Sequence, residues 1–262
     1  MAIGVMNAEP RGPSSVISAA VRGAVLACAL LSACPAQAGG LRESLFGLRP
    51  RDGRDAPAPP VARYVTPDGD AFTLDRSQPK PLLKLENSFE VWALVPQMGP
   101  RGDTIYKNDL GEVVLRATRL GGITIFTEDQ PGGEAAALAG PGNPLKLAMM
   151  GPQALGERLL QASARASRAA RRLIPFEAEA TPASSALIAD AASVTSEAVV
   201  RMSKRSDARK LLDRIFKVRI LEGRKAQAQL TQGVLDVTIA PPQGVAGRPS
   251  SDLIVHVAET FH

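Results

Sequence analysis

Ala62-Arg63-Tyr64-Val65-Thr66-Pro67-Asp68-Gly69-Asp70-Ala71-Phe72-Thr73-Leu74, residues 62–74, decides the fold class. Two runs rich in β-branched and aromatic residues flank Pro67-Asp68-Gly69, whose proline and glycine supply the backbone angles of a tight turn. The segment therefore reads as two short strands and not as a helix. The same pattern recurs at Leu82–Glu86, Glu90–Val95, Thr104–Lys107, Val113–Thr118 and Ile123–Thr127. Glu86-Asn87-Ser88, Met98 to Gly102, Asn108 to Gly111 and Gly121-Gly122 supply the turns between them. Strands at a spacing of about ten residues predict an antiparallel meander, a small barrel or sandwich, over residues 61–129. Trp92, the only tryptophan, alternates with Val91 and Ala93 and is expected on one face of that sheet.

Downstream the hydrophobic period lengthens. Residues 130–152 are rich in proline and glycine and read as a loop. Leu155, Leu159, Ala162, Ala166, Ala169 and Leu173 then recur at helical spacing between Pro152 and Pro175. A second stripe, Leu187, Ala191, Val194, Ala198 and Met202, follows Thr181-Pro182-Ala183-Ser184. It continues through Ala208, Leu211, Ile215 and Val218, with Ser206 placed to cap a third helix and Gly223 to stop it. Period two returns at Leu235, Val237 and Ile239 and again at Leu253, Val255 and Val257, which predicts a closing pair of strands. The expected class is α+β: a small antiparallel β module followed by two or three helices and a C-terminal pair of strands. Residues 130–262 then form a helical region with a C-terminal β-hairpin, either separate from 61–129 or one domain with it. No regular β-α-β alternation argues for a parallel sheet.

Upstream, Arg11 and Arg22 precede an uncharged stretch from Gly23 to Ala33. About ten apolar residues are too few to span some 30 Å of hydrocarbon but suit the core of a secretory signal. Ala36-Gln37-Ala38 offers the small residues a signal peptidase requires, which places cleavage after Ala38 and makes 1–38 a signal peptide. Leu31-Ser32-Ala33-Cys34 also resembles a lipobox, in which Cys34 is acylated and the protein is anchored at the outer membrane. Both routes lead to the bacterial envelope, the first to the periplasm, and neither leaves a transmembrane helix in the mature chain. Residues 39–60, rich in Arg, Asp, Pro and Ala, are expected to form a disordered linker, with Leu45-Phe46-Gly47-Leu48 as a small apolar island.

Residue counts exclude several chemistries. Of 262 residues 45% are apolar and 22% charged, with a formal charge of +5, a composition that suits a globular chain and neither a rod nor a wholly disordered one. Cys28 and Cys34 both fall in the signal region, so the mature chain has no disulfide, thiolate metal site or cysteine nucleophile. With His256 and His262 as the only histidines, imidazole clusters and Ser-His-Asp triads have little to draw on, and no cofactor is indicated. His256, alternating with apolar residues, reads as a sheet-face histidine.

Ser77-Gln78-Pro79-Lys80 matches the Ser-x-x-Lys motif of penicillin-interacting enzymes, but Pro79 and Pro81 forbid the helix that places lysine over serine, and no Ser-Asp-Asn or Lys-Thr-Gly element follows. Asp68-Gly69-Asp70 lacks the spacing of a calcium loop and reads as a turn. Arg101-Gly102-Asp103 is likewise a turn. Two features stand out as binding candidates. One is the polar hairpin that crowds Tyr106, Lys107, Asn108, Asp109, Glu112, Arg116 and Arg119 together; the other is the basic stretch 201–225, where Arg209, Lys210 and Arg214 belong to a run of ten cations against three carboxylates. The plainer reading of the first is the wet face of a sheet, and of the second the solvated side of a bundle. Few aromatics interleave with these charges, which argues against nucleic acid.

Phe72-Thr73-Leu74-Asp75-Arg76-Ser77, the run Arg101 to Asp109 and the run Leu115 to Gly122 resemble an exported bacterial family of unknown function associated with alphaproteobacteria. The resemblance covers about 70 residues of the β-rich part, and it implies an envelope location and no chemistry. The reading is thus an exported, non-enzymatic envelope protein that binds a partner or an anionic surface, lipid or lipopolysaccharide, through its Arg-rich helices or the Tyr106–Arg119 hairpin. The enzymatic alternative is a periplasmic hydrolase using carboxylates with Ser77 and Lys80.

Overall fold

The computed structural model describes residues 58–260, which lie in one compact unit, Asp52–His262. The expected signal peptide with Cys28, Cys34 and Ala38, the linker up to Pro57, and His262 lie outside the described residues. The end of the linker is held in place: Arg76 Nη2 donates to the carbonyls of Ala58 (3.3 Å) and Pro59 (3.1 Å).

The seven alternating runs form eight strands, because Glu90–Val95, expected as one strand, is divided at Leu94 and its second part continues to Met98. They are β1 (Val61–Val65), β2 (Ala71–Asp75), β3 (Leu82–Leu85), β4 (Val91–Ala93), β5 (Val95–Met98), β6 (Thr104–Lys107), β7 (Val113–Ala117) and β8 (Ile123–Ile125). A ninth, β9 (Glu134–Pro141), pairs with both β1 and β8, in the stretch whose glycines and prolines read as a loop. Its Ala- and Gly-rich sequence has little intrinsic strand preference, and the two flanking ladders override that. All pairings are antiparallel, in the order β4-β3-β2-β1-β9-β8-β7-β6-β5. The first and last members are separated in sequence only by Leu94, which is fully buried, so the sheet nearly closes into a barrel. This large sheet replaces the small module expected. Its interior is packed by Tyr64, Phe72, Leu74, Leu83, Leu94, Leu115 and neighbours, with Tyr64 stacked on Phe72 at 5.4 Å. At β6–β7 the register shifts between Tyr106 and Lys107, so that Val114 is an extra residue, while Ile105 and Arg116 remain partners on the outer face.

The remaining chain forms an α/β lobe. Helices α1 (Pro152–Ala170), α2 (Ser185–Ser203), α3 (Ala208–Leu212) and α4 (Ser251–Thr260) accompany strands β10 (Phe176–Ala178), β11 (Lys217–Glu222), β12 (Gln227–Thr231) and β13 (Val234–Ile239). The stripe Leu187, Ala191, Val194, Ala198 and Met202 is wholly buried on α2, as its period requires. Three expectations fail here. The helical stripe does not reach Val218: α3 ends at Leu212, and Val218 and Ile220 are buried at period two on β11. Leu253–Val257 is not a strand but part of α4, which buries Ile254, Val255 and Ala258 at helical spacing, so the closing hairpin is β12–β13. The second sheet is also partly parallel, in the order β10-β11-β13-β12, with β11 parallel to both β10 and β13. The α2–α3 segment is the crossover that a parallel pair demands.

Candidate functional site

The barrel meets the α/β lobe around the first turn of α4. Helix N-termini leave backbone N–H groups without intrahelical partners, and here the barrel supplies two carboxylates to them. Glu90, just before β4, accepts from the backbone N–H of Ser251 (2.9 Å) and from its hydroxyl (2.6 Å). Asp109, in the β6–β7 turn, does the same for Ser250, at 2.8 Å and 2.6 Å. The Ser250 hydroxyl in turn accepts the Leu253 N–H at 3.0 Å, an N-cap within the helix itself.

Arg248 completes the joint. Its side chain is 2% exposed, lies 3.4 Å from Glu90, donates to the Val91 carbonyl at 2.9 Å and is bonded to Asp190 of α2. Arg201, at the end of α2, donates to Ser251 (2.8 Å), to Asp252, and to Glu128 of the barrel (3.0 Å). Burial pushes the Glu90 carboxyl above the ordinary carboxylate range, against the pull of Arg248 and the Ser251 hydrogen bonds. Arg201 is also partly desolvated, yet its Asp252 and Glu128 partners hold its guanidinium above the usual value.

Beside this joint lies a cleft of about 950 Å³ between the outer face of β6–β7–β8 and α4. Its apolar lining is Trp92, Ile105, Leu110, Val113, Phe126 and Val255, and its polar lining includes Glu112, Arg116, Glu128, Arg201, Asp252, His256 and Glu259. Val113 is 40% exposed there. A smaller pocket of about 370 Å³ on the other side of Trp92 reaches Lys80, Asp109, Arg248 and the start of β12.

Of the residues singled out from sequence, the cleft gathers Asn108, Glu112 and Arg116 of the hairpin, and not Tyr106, Lys107, Arg119, Arg209, Lys210 or Arg214. Arg116 donates to Asp103 at 2.8 Å, so the carboxylate of the Arg-Gly-Asp turn is buried against it. Tyr106 points into the barrel interior and is buried; Lys107 is half-buried at the end of β6, and Arg119 is exposed in the β7–β8 turn. Arg209 and Lys210 are exposed on α3, while Arg214 donates to the Ala258 carbonyl at the end of α4 (3.2 Å). Much of the basic stretch is paired: Arg205 with Asp207 and Glu259, Lys217 with Glu177, and Arg219 with Asp236. On the earlier helix, Arg165 pairs with Glu197.

Ser77 and Lys80 do not meet. The Ser77 hydroxyl donates to Asp75 at 2.6 Å, and Lys80 Nζ donates to Gln243 at 2.8 Å. His256 sits on α4 and not on a strand; it is exposed and lines the cleft. Among the described residues no group of three or more His, Cys, Asp or Glu side chains is placed to hold a metal ion, and no helix is long and apolar enough to cross a membrane. Sequence reasoning reached Asp109 only as one member of the polar hairpin, and missed Glu90, Arg248 and the two serines. Their one legible signal is Pro249-Ser250-Ser251-Asp252, a helix-start signature with an acidic first turn.

Fold and site together define a two-lobed protein, a nearly closed antiparallel barrel joined by a buried polar network to an α/β lobe, with an open cleft at the joint. The chain belongs to the DUF4908 family, a domain of unknown function whose model matches residues 40–258 and so covers helices and strands alike. No curated protein and no solved structure matches it.

Proposed function

We propose that this protein is an exported, non-enzymatic binding module of the bacterial envelope, and that it engages its partner in the cleft between the β6–β7 hairpin and α4. The observation that carries this reading is the cleft itself. It leaves apolar side chains from both lobes facing solvent beside a charged rim, the usual make-up of a recognition site. Export rests on the basic, apolar and small-residue succession of residues 11–38, with a periplasmic or a Cys34-acylated product as its two outcomes. The separate partners of Ser77 and Lys80 favour binding over hydrolysis.

A photo-crosslinking amino acid placed at Val113 in cells should give discrete adducts, whereas the same group at exposed Leu160 on α1 should give none. Equal adducts at both positions, or none at Val113, overturn the cleft as the site. Mass analysis of the mature N-terminus separates cleavage after Ala38 from acylation at Cys34, and an uncut chain overturns export. Covalent labelling of Ser77 by a serine-directed activity probe would restore the hydrolase.

A further inference from the structure

We infer that the partner presents a basic, amphipathic peptide segment to this cleft; the inference rests on the cleft being the binding site. The chain as a whole carries a formal charge of +5, yet the cleft runs against that balance. Its lining holds four carboxylates, Glu112, Glu128, Asp252 and Glu259, against the two guanidiniums of Arg116 and Arg201.

Internal pairing sharpens the imbalance. Arg116 is committed to Asp103, outside the lining, so it offers the cleft little unmatched charge. Arg201 is shared between Asp252 and Glu128, and Arg205 between Asp207 and Glu259, so each cation faces two carboxylates. The Glu112 carboxylate accepts from the Asn108 amide (3.0 Å), and no cation among the described residues pairs with it. The surplus negative charge is spread over the β6–β7 turn, the stretch after β8, and α4. Carboxylates on three elements are matched by several cations strung along one chain better than by a single small cation. The apolar floor asks for leucine- or phenylalanine-like side chains between them. Such a field repels an anionic lipid headgroup at this face, which distinguishes the cleft from the exposed cations Arg209 and Lys210 on α3.

Trp92, the only tryptophan, lines the cleft and also borders the smaller pocket, so its emission reports binding at the joint, and substitutions at Glu112 and Glu128, which line the cleft alone, assign that binding to the cleft. A short synthetic leucine–lysine peptide should shift Trp92 emission saturably, and added salt should weaken the binding. The double substitution Glu112→Gln/Glu128→Gln, at two exposed side chains, should raise its Kd about fivefold, the scale expected for losing two rim pairs. Unchanged circular dichroism would show that the variant is folded. If the leucine–glutamate counterpart binds equally well, the cleft stands as the site and the cationic partner falls. If phosphatidylglycerol vesicles shift Trp92 and the peptide does not, the partner is a membrane surface and the inference is overturned. If neither shifts Trp92 and Val113 yields no adducts, the site and its partner fail together.

Discussion

The two lobes are each held by apolar side chains, and the joint between them is held mainly by charge. The barrel buries Tyr64, Phe72, Leu74 and Leu115 in one cluster, and the α/β lobe buries Ile188, Met202, Ile215 and Ile220 in another. Between them, among the described residues, lies a small apolar cluster around Leu82, Val245 and Ala246, and beside it run the Glu90, Asp109, Arg248 and Ser251 contacts. The difference is one of division of labour. Apolar burial is non-directional and stabilises each lobe by area removed from water. Charged hydrogen bonds are directional, so they fix how the lobes face each other without filling the space beside them, and the cleft survives as a consequence.

The sharpest way to break that contrast is Arg248→Met. A buried ion pair adds little net stability over an apolar replacement, but deleting one member strands the other, at a cost of about 3–5 kcal/mol. Glu90 and Asp190 would both be stranded. Urea denaturation should show a loss of that size, and adding Glu90→Gln and Asp190→Asn, which remove the stranded charges while keeping an acceptor for the Ser251 N–H, should recover part of it. A loss no larger than an ordinary surface change would mean that the network is incidental. Gly247→Ala probes the backbone of the same region. A Cβ there would fall 2.2 Å from the Ala240 carbonyl oxygen, which cannot swing aside as a side chain does. Overpacking of this kind costs about 1–3 kcal/mol, read from the same denaturation curves. Ser250→Ala removes an N-cap and leaves Asp109 without one of its two donors, for about 1 kcal/mol. If its effect on the Trp92 environment matches that of Asp109→Asn, the two residues act as one contact.

The same contrast explains what was legible in the sequence. Barrel strands with one buried face write their structure as alternation, and the seven runs follow from it, as does α2 from its 3.6-residue stripe; the exposed β5, hidden in the single run Glu90–Val95, does not. β9 is mostly exposed and built of alanine and glycine, so neither alternation nor propensity marks it, and only pairing with β1 and β8 defines it. Leu253-Ile254-Val255-His256-Val257 satisfies a period of two on one choice of residues and a helical period on another, Ile254, Val255 and Ala258. Pro249-Ser250-Ser251-Asp252 decides for the helix. Val218 likewise fits a helical stripe by position while standing on a strand. The joint was illegible for a different reason. Glu90 and Arg248 are 158 residues apart, and nothing local in either marks it as buried or as the other's partner.

The smallest effect is a pH slope, and it has opposite signs in the two regions. Asp75, at the end of β2, is fully buried, which alone would raise its pKa. The Ser77 hydroxyl and the N–H groups of Leu145 and Ser77 outweigh burial and hold the carboxyl below its ordinary range. Its contribution to stability is therefore present above the unfolded value of about 3.9 and is lost as pH falls through the lower folded value. Glu90 at the joint is the reverse. Burial wins over Arg248 and over the Ser251 hydrogen bonds, with Asp252 adding to the upward shift, so the folded state holds its proton more tightly than the unfolded chain. Its contribution is full below an unfolded value of about 4.3 and fades as pH rises through the higher folded value. Stability measured by denaturation across pH, as wild type minus Glu90→Gln, should therefore fall as pH rises through that upper window. Wild type minus Asp75→Asn should instead fall as pH drops through the lower one. Parallel curves for Glu90→Gln would mean that water and the Arg248 guanidinium solvate the joint as well as they would a surface carboxylate, and the contrast between an apolar core and a desolvated charged joint would lose its physical basis.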